Sequence, residues 1–403
     1  MSGLDDDPTA PWPPRDHLLP DHGFGTRAIH AGQPPEPRTG AVMVPIYQTS
    51  TYVQPAVGEH LGYEYSRTGN PTRTALETCI AALEGATHGA CFGSGSAATA
   101  TLLHSLKPGD HVISSDDVYG GTYRQFTTVF APMGIEFTFV DMTDVDAVAA
   151  AVRPGVTKLL WVETPTNPLL KIVDIAAMAT IARDAGAMCA VDNTFATPYF
   201  QQPLALGATA VVHSTTKYIG GHSDVVGGAV VTSDDALAAE LFRLQNSIGA
   251  TPGIQDCFLQ LRGLKTLHVR MRAHQENAQA LAAFLSEHAE VDAVIYPGLA
   301  SHPGHAVASR QMSGYGGMVS FELKGDLARA ERFVAATKVF SLAESLGGVE
   351  SLIELPAAMT HASVPPDVRQ SIGIADGLIR LSVGIEDLDD LRDDLAQAFD
   401  ASR

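Results

Sequence analysis

From about residue 88 to residue 232, short apolar runs bounded by Gly, Pro and Asp recur between amphipathic stretches, and this alternation constrains the fold most. The runs are His88–Phe92, His111–Ser115, Glu136–Val140, Lys158–Val162, Ala187–Val191, Ala210–His213 and Gly227–Thr232. Each suits a buried strand and is too short for a buried helix; the segments between them have helical spacing. Strands joined by helical crossovers form a mostly parallel sheet with helices on both faces, so the chain reads as α/β.

The flanking segments divide the chain further. Residues 1–22 are acidic and Pro-rich without periodicity and are expected to be a disordered leader. Residues 23–70 read as a Gly/Pro-punctuated arm with little regular pattern. Such an arm is uncommon inside a compact domain, so it is expected to contact a neighbouring subunit. Residues 71–265 form a large domain that opens on a helix from Pro71 to about Glu84, with proline in the favoured first turn. Near Thr251–Pro252–Gly253 the pattern turns to a long helical stretch reaching about Glu290. Strands at Val291–Tyr296, Met318–Leu323, Val339–Leu342 and Ile379–Val383 follow, with helices near Leu327–Thr337 and Leu388–Ala401. Residues 266–403 thus read as a smaller α/β domain with its leading helix.

Composition narrows the function. A net charge of -19 argues against nucleic acid and anionic membranes, which require a basic footprint. The four cysteines, Cys79, Cys91, Cys189 and Cys257, show neither a close pair nor metal-ligand spacing, which fits a reducing cytoplasm. No run reaches the ~18 apolar residues of a membrane helix. His302 and His305 lie in a Pro/Gly turn, and with His213 and His222 they lack a completing carboxylate or Cys, so no metal is expected.

Chemistry gathers at several points. The run ending at Val212 delivers Lys217 into a glycine-rich turn, flanked by Ser214 and Thr216. A lysine there suits condensation with a carbonyl, with the hydroxyls free for a phosphate. Gly93–Ser94–Gly95–Ser96–Ala97–Ala98 opens a helix after a strand. It matches a dinucleotide fingerprint, with Asp116 near the end of the next strand, but equally a phosphate loop of another kind. Asp192 ends an apolar strand, where a carboxylate can hold a ring nitrogen protonated. Tyr119, beside Gly120 and Gly121, can lie on a ring, and Asn167 in the double-proline turn Glu163–Pro168 can meet a ring hydroxyl.

In this order, the segments Tyr65–Thr72, Ser94–Ser96, Asp117–Thr122, Glu163–Pro168, Asp192–Thr194, Ser214–Tyr218 and Ser345–Ser351 resemble the Cys/Met-metabolism family of pyridoxal-phosphate enzymes. The resemblance runs from about Gly23 to the C-terminus and displaces the NAD reading. It implies an aspartate-aminotransferase-like fold (fold type I) and pyridoxal 5'-phosphate as cofactor. Lys217 would bind the cofactor aldehyde and then carry protons, and Asp192 would pair with the ring nitrogen. Tyr119 would stack on the ring and is a second candidate proton donor. Gly95, Ser96, Ser214 and Thr216 would take the phosphate, joined by Tyr65 and Arg67 from the adjacent subunit of a homo-oligomer, typically a tetramer. Arg380 would hold the substrate α-carboxylate, with Asn167 and Ser345 beside it.

Within the family, Gly121 replaces the cysteine characteristic of methionine γ-lyases. Glu64, Arg124 and Glu344 match lyase positions suited to a distal ammonium and carboxylate. The expected reaction is γ-elimination of L-cystathionine to cysteine, 2-oxobutanoate and ammonia, with release of H2S from cysteine or homocysteine as a side activity. The alternative is γ-replacement on an O-acyl-homoserine by cysteine. A ligand-sensing regulatory role would call for a basic DNA-binding module, which the acidic leader does not supply.

Overall fold

The computed structural model describes residues 19–360, 369 and 373–403; most of the expected leader lies outside them. Seven strands form the first sheet: β1 (His88–Phe92), β2 (His111–Ser115), β3 (Glu136–Val140), β4 (Thr157–Glu163), β5 (Met188–Asp192), β6 (Ala210–His213) and β7 (Gly228–Thr232). Their spatial order is β1-β7-β6-β5-β4-β2-β3. From β3 to β6 all neighbours are parallel, whereas β7 runs antiparallel to both β1 and β6. The expected strands are all present, within a residue at each end. β4, β5, β6 and β7 are buried almost throughout because helices cover both faces, which explains their unbroken apolar sequences.

The helices start and stop where local chemistry dictates. In α2 (Pro71–Glu84), Asn70 caps the first turn by accepting from Thr72 N, proline follows, and Gly85 ends the helix in the left-handed region. In α3 (Gly95–Leu103), Ser94 accepts from Ala97 N. Preceding both is α1 (Phe24–His30), which corrects the reading of the arm as irregular. Its buried Ala28 packs in the same core as Ala75 and Cys79 of α2, so a single seven-residue helix is stabilised by tertiary contact.

A second sheet has the order β10-β11-β12-β9-β8: β8 (Val291–Ile295), β9 (Met318–Leu323), β10 (Ser341–Leu342), β11 (Leu352–Glu354) and β12 (Leu378–Ser382). Two expectations need correction here. The segment Val339–Leu342 forms only a two-residue exposed strand, and the buried β11 has no counterpart among the expected strands. The long helical stretch is also two helices, Ile254–Leu264 and Leu267–Ser286, separated at Lys265–Thr266. Arg270 fixes that break: its guanidinium donates to Gly263 O, Thr266 Oγ1 and Tyr218 O, binding the helix junction to the turn after Lys217. No helix among the described residues is long and apolar enough to cross a membrane.

Candidate active site

The C-terminal ends of the parallel strands face the loop after β6 across one pocket. Gly95, Ser96, Tyr119, Asn167, Asp192, Ser214, Thr216, Lys217, Glu344, Ser345 and Arg380 all line it. Residues expected from separate motifs are therefore brought together by strand order, not by sequence proximity.

Lys217 occupies the turn after β6, where its Nζ donates to Ser345 Oγ at 2.7 Å. Burial, reinforced by the nearby Arg380 guanidinium, pushes the amine down to about 8. About a tenth of it is therefore unprotonated at pH 7, far more than for an ordinary lysine, and this is the form that attacks an aldehyde. Ser345 itself adopts a left-handed backbone at φ 93°, unusual for a residue with a side chain.

Below the lysine, β4 and β5 end in register on Glu163 and Asp192. Asp192 Oδ1 accepts from Thr194 N at 3.0 Å. Burial pushes its pKa up, while the contacts to Thr194 and then the charge at His213 act the other way. Glu163 accepts from Tyr119 N and Asn167 N, each at 3.0 Å. Burial and then the adjacent Asp192 carboxylate push Glu163 well above the ordinary range, and both of its oxygens already take backbone donors. This leaves Asp192 as the carboxylate suited to a cationic ring nitrogen.

The phosphate end is built by α3. Its capping Ser94 satisfies Ala97 N, leaving the first-turn N–H groups of Gly95 and Ser96 without intrahelical acceptors. A Cβ at Gly95 would lie 2.8 Å from the Cβ of Ser214, so only glycine lets this helix end approach the lysine turn. Thr216 Oγ1 is tied to Gly227 in both directions, which fixes that wall. An amine with a lowered proton affinity, a buried carboxylate and an anion-ready helix end fit pyridoxal phosphate, and these residues would hold it.

Arg380 of β12 is fully buried and opposite Glu354 of β11. Its Nη1 donates to Asn167 Oδ1 at 2.8 Å and its Nη2 to Ser345 O at 2.7 Å, while Glu354 forms an ion pair at 2.9 Å. Its Nε is buried without a hydrogen-bond partner. Tyr119 is half-buried; burial raises its phenol and Arg124 counteracts, so the hydroxyl remains protonated at neutral pH.

Glu64, Tyr65 and Arg67 stand apart from this pocket. They lie on an exposed stretch of the arm, with Arg67 stacked over the Tyr65 ring at 5.4 Å. Arg124 is also exposed, near Tyr119 but not lining the pocket. Conversely, Glu163, Thr194 and Glu354 are site residues to which the sequence reading gave no role. A lone carboxylate ending or interrupting an apolar run, as at Glu163 and Glu354, was the available signal. The histidines weighed as metal ligands have protein partners: His305 meets Pro297 O, His222 meets Gly220 O and His213 meets Glu84.

Comparison with known proteins bears on this geometry. Residues 25–400 match the family described as Cys/Met metabolism PLP-dependent enzyme. A cystathionine γ-lyase of Dictyostelium discoideum is 57% identical over 94% of this chain and 98% of its own. A cystathionine γ-synthase of Mycobacterium tuberculosis is also 57% identical, over 94% and 97%. A cystathionine β-lyase of Coxiella burnetii is 56% identical over 93% and 97%. The solved cystathionine γ-lyase of Lactobacillus plantarum, complexed with L-serine, superposes with a TM-score of 0.92 at 48% identity, covering 94% of this chain and 99% of that one.

Proposed function

This chain belongs to the Cys/Met-metabolism family of PLP-dependent enzymes, with a fold type I architecture, and we propose that it catalyses γ-elimination of L-cystathionine. The products are cysteine, 2-oxobutanoate and ammonia. The observation that carries this reading is the Glu344 carboxylate in the same pocket as Lys217, Tyr119 and Arg380. A carboxylate there suits the distal ammonium of a substrate whose α-carboxylate is held by Arg380.

Pyridoxal phosphate, when bound, supplies an electron sink conjugated to the substrate Cα. The side chains supply the rest. Arg380, fixed by Asn167 and Ser345, lines the pocket and orients the α-carboxylate. Lys217 takes the Cα proton on Nζ, since an amine near 8 both accepts and releases protons at physiological pH. The protonated Tyr119 hydroxyl donates to the departing sulfur. Asp192, with Glu163 beside it in register, would pair with the ring nitrogen. Tyr65 and Arg67 act on the phosphate of a second copy of the chain; their exposure on the arm, away from their own pocket, supports that sharing.

A second reading, γ-replacement on an O-acyl-homoserine by cysteine, is favoured by the equal identity to the mycobacterial γ-synthase. Product analysis after supplying L-cystathionine alone separates these. Cysteine with 2-oxobutanoate supports γ-elimination, and homocysteine with pyruvate indicates β-cleavage. No cleavage by cofactor-loaded protein turns the assignment to γ-replacement.

A further inference from the structure

A buried polar group behind the strand ends does not line the pocket and has no part in the chemistry above. Glu84, at the end of α2, is 1% exposed, His213 is 1% and Asn193 is 0%. A single carboxylate oxygen, Glu84 Oε1, accepts from His213 Nε2 at 2.6 Å and from Asn193 Nδ2 at 2.8 Å. The cluster continues inward: Gln201 Nε2 donates to Asn193 Oδ1 and to Thr164 O, in the turn that carries Asn167. Glu84 Oε2 is buried with no hydrogen-bond partner. A carboxylate sequestered in this way costs several kcal/mol unless a cation faces it. A separation of 2.6 Å to an imidazole nitrogen belongs to charge-assisted pairs.

The place of this pair in the chain gives it meaning. Asn193 directly follows Asp192, and His213 directly precedes Ser214. One oxygen of Glu84 therefore fastens the ends of β5 and β6, the two strands that present the ring-nitrogen carboxylate and the phosphate hydroxyl. The ionisable groups facing Asp192 are His213 from β6 and Glu163 from β4. Glu163 in turn faces Asp117 at the end of β2, and His213 faces Glu84 from α2.

We infer that Glu84 and His213 are positioning residues for Asp192, a buried acid–imidazole pair that aligns the ends of β5 and β6 and so sets where the Asp192 carboxylate stands. The inference rests on Asp192 serving the cofactor ring nitrogen. Neither residue touches substrate or cofactor.

The test uses cofactor-loaded Glu84→Gln, Glu84→Asp, His213→Asn and Asp192→Asn variants beside the parent. Three quantities are read: the pH midpoint of the bound cofactor's visible absorption, the pyridoxal-phosphate dissociation constant, and the melting temperature of the cofactor-free protein. With Glu84→Gln and His213→Asn, the absorption midpoint moves in the alkaline direction by about one pH unit, and cofactor binding weakens about tenfold. The cofactor-free melting temperature also falls when this buried pair is broken, so the midpoint is the deciding quantity, and Glu84→Asp restores much of it. A merely structural pair would lower the melting temperature and leave the midpoint in place, which overturns the inference. If Asp192→Asn displaces the midpoint while both Glu84→Gln and His213→Asn match the parent within twofold, the pair is refuted and the role of Asp192 stands. If Asp192→Asn is also silent, the ring-nitrogen reading fails and takes this inference with it. Should Glu84→Gln not fold, His213→Asn and Glu84→Asp carry the same comparison.

Discussion

Replacing Lys217 by methionine should stabilise the cofactor-free protein at neutral pH. The lysine amine is held at about 8 in the folded chain against an ordinary 10.5, mainly because it is buried. The unfolded chain therefore binds more protons than the folded one between those values, and stability rises as pH rises through that window. Below 8 the penalty is complete, and linkage sets it at ~3 kcal/mol. By pH 10 the same relation leaves less than ~1 kcal/mol, and above the unfolded value it vanishes. Methionine has similar reach and no charge, and it gives up only the bond to Ser345 Oγ. Urea unfolding of the two cofactor-free proteins at pH 7 and pH 10 reads the difference directly. The variant should be the more stable by up to ~3 kcal/mol at pH 7, with the gap closing at pH 10. Equal stabilities at pH 7, or a gap independent of pH, would refute the claim that this amine is destabilised by burial.

Arg380→Ala should raise KM for L-cystathionine by about 10- to 100-fold, the worth of charged hydrogen bonds to a carboxylate, with kcat less affected. An unchanged KM in steady-state kinetics would move the carboxylate site elsewhere. Glu344→Ala should raise KM for L-cystathionine more than for homocysteine, which lacks the distal amino acid end; equal changes for both would remove Glu344 from distal recognition. A Cβ at Gly121 would overlap the Tyr119 ring, so Gly121→Cys should displace Tyr119 and cut kcat about tenfold or more. Turnover at the parent rate would show that the Tyr119 position is not critical.

The first sheet was legible because its strands are buried on both faces, so each is an unbroken apolar run between turn signals. The site was legible where chemistry sits at a strand end: Asp192 after β5, Lys217 after β6 and Gly95 after β1. What escaped depended on tertiary context. The three residues of β11 form a strand because β12 and β10 flank them, and no pattern of their own announces it. The seven residues of α1 are helical because α2 receives Ala28. The break at Lys265–Thr266 carries neither Gly nor Pro and is imposed by Arg270. Glu84 and His213 lie far apart in sequence and meet only through the packing of α2 on the sheet end. Whether Glu64, Tyr65 and Arg67 serve their own pocket or another's cannot be read from spacing, and in a single chain they stand outside it.

The placement of β7 has a consequence for vectorial synthesis. β1 is the first strand of its sheet to leave the ribosome, yet it lies at an edge and pairs with β7 alone, from Phe92 against Gly228 to His88 against Thr232. Until Thr232 has emerged, β1 has no sheet partner. The glycine loop at its end cannot be seated against the lysine turn in that interval. A nascent chain halted before β7 therefore contains both the loop and Lys217 but lacks the strand that joins them. Competence to capture the cofactor should therefore wait for the emergence of Gly228–Thr232 and of Ala250, whose carbonyl accepts from Gly93 N, rather than accumulate along the chain.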